Sequence, residues 1–154
     1  SSIAQARELW RVRESTWVGQ RGEGASIKHD VSVPVSAVAR FIAEASPAIE
    51  AAIPGSRVFA FGHIGDGNIH FNLAQPAGAD PEGFLDRSEE IHRIVHDIVA
   101  RFDGSISAEH GIGRLKREEM ARYKPAAELG MMRAVKAALD PHGIMNPGVL
   151  FPEG

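Results

Sequence analysis

The stretch GHIGDGNIH, residues 62 to 70, holds three glycines and an aspartate and sets His63 and His70 seven residues apart. Neutral imidazole suits Zn, Mn, Fe and other divalent ions, whose remaining positions are commonly filled by a carboxylate and by water or substrate. Two carboxylates are candidates: Asp66, between the histidines, and Glu109 in SISAEHGIG. Glu109 stands beside His110, the placement expected of an acid and a base aimed at one point. Two histidines and one carboxylate leave coordination positions open for a ligand. The H-x6-H spacing is weak evidence by itself. The remaining histidines, His29, His92, His96 and His142, read as ordinary. His92 and His96 lie four apart on one helix, a spacing that could hold a metal but also occurs on plain solvated faces.

The elements that must position these groups follow from periodicity. RVFAFGHI and NIHFNLA, residues 57–64 and 68–74, read as two strands joined by GDG, a hairpin whose glycines can take positive φ. On the second strand His70 and Asn72 share a face, because side chains alternate with period two. If His63 ends the first strand, its ring can sit close to His70. IKHDVSV, residues 27–33, reads as a third strand, ended by Pro34. Helices are expected over 3–17, 35–52, 81–102, 117–123 and 125–139. Trp10 on the first and the Ile/Val stripe of the long third one (Ile91, Ile94, Val95, Ile98, Val99) read as core. GSISAEHGIG reads as a short strand breaking into glycine-bounded turns. An antiparallel hairpin among helices predicts an α+β fold, an antiparallel sheet covered by helices.

Composition bounds the function. The 154 residues, 44% of them hydrophobic, suffice for one domain with a sizeable core. A net charge of -3 without any Lys/Arg block argues against nucleic acid as a partner. The absence of cysteine removes disulfides, thiolate metal sites and a cysteine nucleophile together. No apolar run approaches the roughly 20 residues of a membrane span, so a soluble, cytoplasmic domain is expected. The chain begins at Ser1 inside a helical pattern, which suggests a piece of something longer.

Three blocks, FGHIGDGNIHFN, GSISAEHGIGRLK and DPHGIMNPG, resemble in order and wording the C-terminal domain of FAD-linked D-2-hydroxy acid dehydrogenases of the vanillyl-alcohol oxidase type. That family includes D-lactate dehydrogenases, the D subunit of glycolate oxidase and D-2-hydroxyglutarate dehydrogenase. The resemblance covers nearly the whole chain. It implies that residues 1–154 form a ferredoxin-like substrate and metal-binding domain, the C-terminal part of a larger flavoprotein whose FAD-binding domain is absent from this sequence. It implies His63, His70 and Glu109 as ligands of a divalent metal, Zn or Mn, and His110 as general base. Arg13, Lys28 and Asn72 fall at substrate-binding positions, and Asn146 in a tail that runs near the flavin.

The chemistry so implied is oxidation of a D-2-hydroxy acid to the 2-oxo acid. The metal assists alkoxide formation, His110 takes the hydroxyl proton, and hydride passes to FAD. Arg13 and Lys28 would hold the carboxylate; as ordinary residues they would be a helix-surface arginine and an edge-strand lysine. The final acceptor, a protein or a quinone, is unknown. The fragment alone should be inactive, since no redox acceptor is recognisable in it, and an uncovered apolar face could make it a homodimer. One place departs from the 2-hydroxyglutarate branch: Trp17 stands where that branch has a small hydroxylated residue, which favours a short acid such as D-lactate. The alternatives are a non-catalytic metal- or carboxylate-binding module and a metal-dependent hydrolase using bound water.

Overall fold

The computed structural model describes residues 2–151, except for the side chains of Trp17 and Arg21. Strand β4 (Asn68–Ala74) is the middle of an antiparallel sheet. Along one edge runs β3 (Arg57–His63), in register from Arg57 opposite Ala74 to His63 opposite Asn68. Along the other edge lie β1 (Ser26–Ile27) and β2 (Asp30–Ser32), with Asp30 opposite His70. The hairpin turn spans residues 64–67. The N–H groups of Asp66 and Gly67 donate to the His63 carbonyl there. Gly67 has φ +77°, and a Cβ on it would run into the Val33 carbonyl, so the turn requires glycine.

The sequence predicts one strand over 27–33, but the structure divides it at residues 28 and 29. His29 supplies the reason. Its carbonyl accepts from the Phe71 N–H at 3.0 Å, while its ring Nδ1, 2.7 Å from the Phe71 carbonyl, takes the place of a backbone donor. The expected strand in GSISAEHGIG shrinks to one bridge, with Ser105 and Ser32 exchanging N–H to carbonyl bonds of 2.8 and 3.0 Å. Strand, helix, hairpin, helix and bridge follow one another as in a ferredoxin-like α+β sandwich.

Helices α2 (Val38–Ala52) and α4 (Ser88–Arg101) pack together over one face of the sheet. Phe41, Ala45 and Ile49 from α2 and Ile91, Val95, Ile98 and Val99 from α4 meet Val31, Ile69, Phe71 and Leu73 in a buried cluster. Removing such side chains from water contributes about 1.5–3 kcal/mol each. The long helix expected over 81–102 is two, α3 (Pro81–Leu85) and α4. At the break the Arg87 guanidinium donates to the Ala52 carbonyl and to Glu90, tying the turn to the end of α2.

Helix α1 (Ile3–Gly19) starts in a capping box, Ser2 with Gln5. Its apolar residues are not core: Ile3 is 76%, Leu9 73% and Trp10 64% exposed. The expectation for Trp10 fails because α1 packs mainly against the 3-10 turn that follows it, Gln20–Glu23, and periodicity reports an apolar stripe without saying what covers it. Helices α5 (Arg117–Tyr123) and α6 (Ala126–Leu139) follow the predicted spans closely. Among the described residues no helix is long and apolar enough to cross a membrane.

Candidate functional site

Alternation along β4 decides what faces the second side of the sheet. With Ile69, Phe71 and Leu73 committed to the helices, Asn68, His70 and Asn72 point the other way. Cross-strand neighbours share a face, which adds Phe61, opposite His70, and His63, opposite Asn68. From the other edge come Lys28 and Asp30. A cavity of about 1000 Å³ opens over this face, lined by Arg13, Lys28, Asp30, His70, Asn72 and His110, with Arg114 and Lys116 also in its wall.

Glu109 links the histidines. Its two carboxylate oxygens lie 3.6 Å from His63 Nδ1 and 3.5 Å from His70 Nε2. His63 Nδ1 is also 3.6 Å from Asp66. On the inner side, Asp30 Oδ1 is 3.9 Å from His70 Nδ1, and its Oδ2 is 3.5 Å from His110 Nδ1. These separations exceed a hydrogen bond. They resemble the spacing of about 3.0–3.4 Å that two donors adopt around one ion at roughly 2.1 Å from each. Among the described residues, the donors that all lie within 4.8 Å of one another are those of Asp30, His70 and Glu109. His63 reaches this group from the Glu109 side, on the exposed rim. Nitrogen and carboxylate donors facing one another across unbonded gaps fit a divalent ion of the Zn or Mn type.

Asp30 is buried at 3% exposure. Its Oδ2 accepts from the backbone N–H groups of Glu109 and His110, each at 2.8 Å, and its Oδ1 from Asn68 Nδ2 at 2.8 Å. Burial pushes its carboxyl up, but these donors and His110 outweigh it and hold the group below the usual carboxylate range. Burial lowers His70, against the pull of Asp30 and Glu109, so its ring is kept neutral, as a ligand must be. Arg13 lies over the Phe61 ring at 5.4 Å, which turns its guanidinium toward the cavity. Asn72 Nδ2 donates to Gln20 Oε1 at 2.9 Å. Asn146 lies on the exposed tail at φ +48°, outside the cavity lining. The argument from Trp17 falls on a side chain outside the described ones.

Sequence reasoning missed Asp30 and Lys116. A signal for Asp30 existed, since in IKHDVSV it lies two residues past Lys28 on the same strand face. Lys116, whose Nζ donates to the Ile106 carbonyl at 3.0 Å, gave none. A second group of imidazoles packs beside α4, with His29 in the cavity lining. His29 Nε2 and His92 Nδ1 share a hydrogen bond of 2.9 Å, and His96 Nδ1 meets Glu119 at 2.9 Å. Burial lowers all three, His29 well below the ordinary histidine value.

The model of the family described as FAD linked oxidases, C-terminal domain, matches residues 1–150. The chain is 41% identical to a D-2-hydroxyglutarate dehydrogenase of Xanthomonas citri pv. viticola, over 97% of this chain and 32% of that protein. It is 38% identical to that of Stutzerimonas stutzeri, over 97% of this chain and 32% of the relative. For the mitochondrial enzyme of Danio rerio the identity is 33%, over 99% of this chain and 27% of the relative. The chain thus spans about a third of the length of the relatives it matches. It belongs to the FAD-linked oxidase C-terminal domain family.

Proposed function

We propose that this family membership carries its chemistry with it: in an intact flavoprotein the chain binds a D-2-hydroxy acid and directs its oxidation to the 2-oxo acid. The observation that carries the reading is one cavity holding carboxylate-binding cations, Arg13 and Lys28, beside an acid–imidazole cluster at separations that suit an ion. His63, His70 and Glu109 would hold a divalent metal, and His110 would serve as base. When bound, the metal supplies a Lewis acid that lowers the pKa of the substrate hydroxyl, and FAD supplies the hydride acceptor.

The chain's own residues do the rest. Arg13 presents a planar fork and Lys28 a compact charge to the substrate carboxylate. Asn72, anchored by Gln20, borders the bound acid. His110, whose Nδ1 faces Asp30, is placed to take the hydroxyl proton on Nε2. Asn146 on the exposed tail would face the flavin. For the acid's tail, Trp17 argues for a short substrate such as D-lactate. Two observations favour a dicarboxylic one: the names of the relatives, and the further cations Arg114 and Lys116 in the cavity wall.

Elemental mass spectrometry of the untagged chain beside a His63→Ala, His70→Ala double variant tests the metal site. Near-stoichiometric Zn or Mn in the parent and its loss in the variant are expected. Bleaching of the flavin in the intact protein by D- but not L-2-hydroxy acids tests the reaction. Bleaching by D-lactate far faster than by D-2-hydroxyglutarate would restore the short-acid reading.

A further inference from the structure

Glu109 and His110 sit on a stretch with little regular structure to hold it. After the Ser105 bridge, residues 106–113 form neither helix nor strand. A metal ligand and a base need to be fixed to within fractions of an ångström, which bends in a loop do not achieve alone. The backbone amides of both residues end on one atom, Asp30 Oδ2, at 2.8 Å each. Two successive N–H groups converging on one oxygen form an anion-holding nest. The other oxygen of the same carboxylate is held by Asn68 Nδ2, and the Asp30 carbonyl accepts from Ala108 at 3.1 Å. Asp30 is itself fixed in β2 opposite His70.

We propose that Asp30 is a positioning residue: its buried carboxylate holds the Glu109–His110 backbone through two hydrogen bonds, and its charge, 3.9 and 3.5 Å from Nδ1 of His70 and His110, favours the N–H on that side of each ring and leaves Nε2 for ion and substrate. The inference rests on the reading of Glu109 and His70 as ligands and of His110 as base. It gives Asp30 a supporting role, because three of the acceptor positions of its carboxylate already hold N–H donors. A negative charge on the Nδ1 side of an imidazole favours the tautomer that carries its proton there, even beyond hydrogen-bond distance. A glutamate would be too long for the nest, and an asparagine that turned its oxygen to the two amides would set an NH₂ against the Asn68 donor and lose the charge.

The test is Asp30→Asn in the full 154-residue chain, with three readouts. Zn²⁺ affinity by competition with a chromogenic chelator is expected to fall about 10- to 100-fold. Amide exchange at Glu109 and His110 should become fast while the β3–β4 ladder stays protected. Ring-nitrogen NMR should show His70 and His110 as Nδ1–H tautomers in the parent and as mixtures in the variant, a change that a purely structural role does not produce. Unchanged affinity, protection and tautomers would overturn the inference. If Asp30→Asn does not fold, Asn68→Ala, which removes only the donor to Oδ1, should weaken Zn²⁺ several-fold and loosen the same amides; no change there overturns it equally. If the parent binds neither Zn²⁺ nor Mn²⁺, the ligand reading fails, and the amides and tautomers alone decide for or against Asp30.

Discussion

Six of the seven histidines gather in two groups, one against α4 and one around Glu109 and Asp30, and they are used in opposite ways. In the inner group, His29, His92 and His96, contacts run from 2.7 to 2.9 Å and each ring is bonded to a carbonyl, another ring or Glu119. In the outer group, His63, His70 and His110, every ring–carboxylate approach among the described residues lies between 3.5 and 3.9 Å. Each inner histidine has committed at least one ring nitrogen to the fold. The outer ones are spaced around a gap, with nitrogen lone pairs left to offer. Histidine count and helical spacing do not separate these cases; the distances do.

The largest expected effect tests whether function belongs to the outer group alone. In the intact flavoprotein, His110→Ala should slow flavin reduction by a D-2-hydroxy acid about 10²- to 10⁴-fold, the usual cost of losing a general base. His92→Ala, measured by the same stopped-flow bleaching, should stay within about threefold. A large effect of His92 and a small one of His110 would dissolve the distinction.

Stability should show the mirror image. His96→Ala removes a ring that is 2% exposed and takes from Glu119 the partner of one oxygen, Arg93 keeping the other, so thermal or urea denaturation should register a loss of about 3 kcal/mol.

Acid should act through the inner group too. His29, His92 and His96 are lowered by burial, so the unfolded chain takes up protons that the fold refuses. Their contribution is complete above the unfolded value near 6.5 and is lost as pH falls below it. Urea midpoints between pH 7 and 5 measure the slope, and His96→Gln should make it shallower. The smallest effect is expected at the rim: His63→Ala, with the ring exposed, should shift stability by no more than about 0.5 kcal/mol even as it weakens metal uptake.

The hairpin and its histidines were legible in the sequence because period two and a glycine turn leave local marks, and both strands end within a residue of expectation. The apolar stripe of α4 was legible for the same reason. What stayed hidden depends on partners distant in the chain. Asp30 meets Glu109 and His110 across about eighty residues, and no local pattern announces that a carboxylate will be buried against amides so far away. The division of the first strand arises from His29 reaching Phe71, and the exposure of Trp10 from what lies, or does not lie, over α1. Arg13, Lys28 and Asn72 line the cavity together, an assembly that only the family resemblance anticipated.

The two groups meet at adjacent residues, His29 facing inward and Asp30 outward on the same short edge. A slip of one position in pairing with β4 would put a carboxylate into the apolar layer and an imidazole onto the face that carries His70. Burying that unpaired charge costs several kcal/mol, far more than the few ladder bonds of a three-residue strand could return. The segment is too short to set its alignment by length, and chemistry sets it instead: the pair works as a key that admits one register, so the chain that folds at all folds with its site assembled.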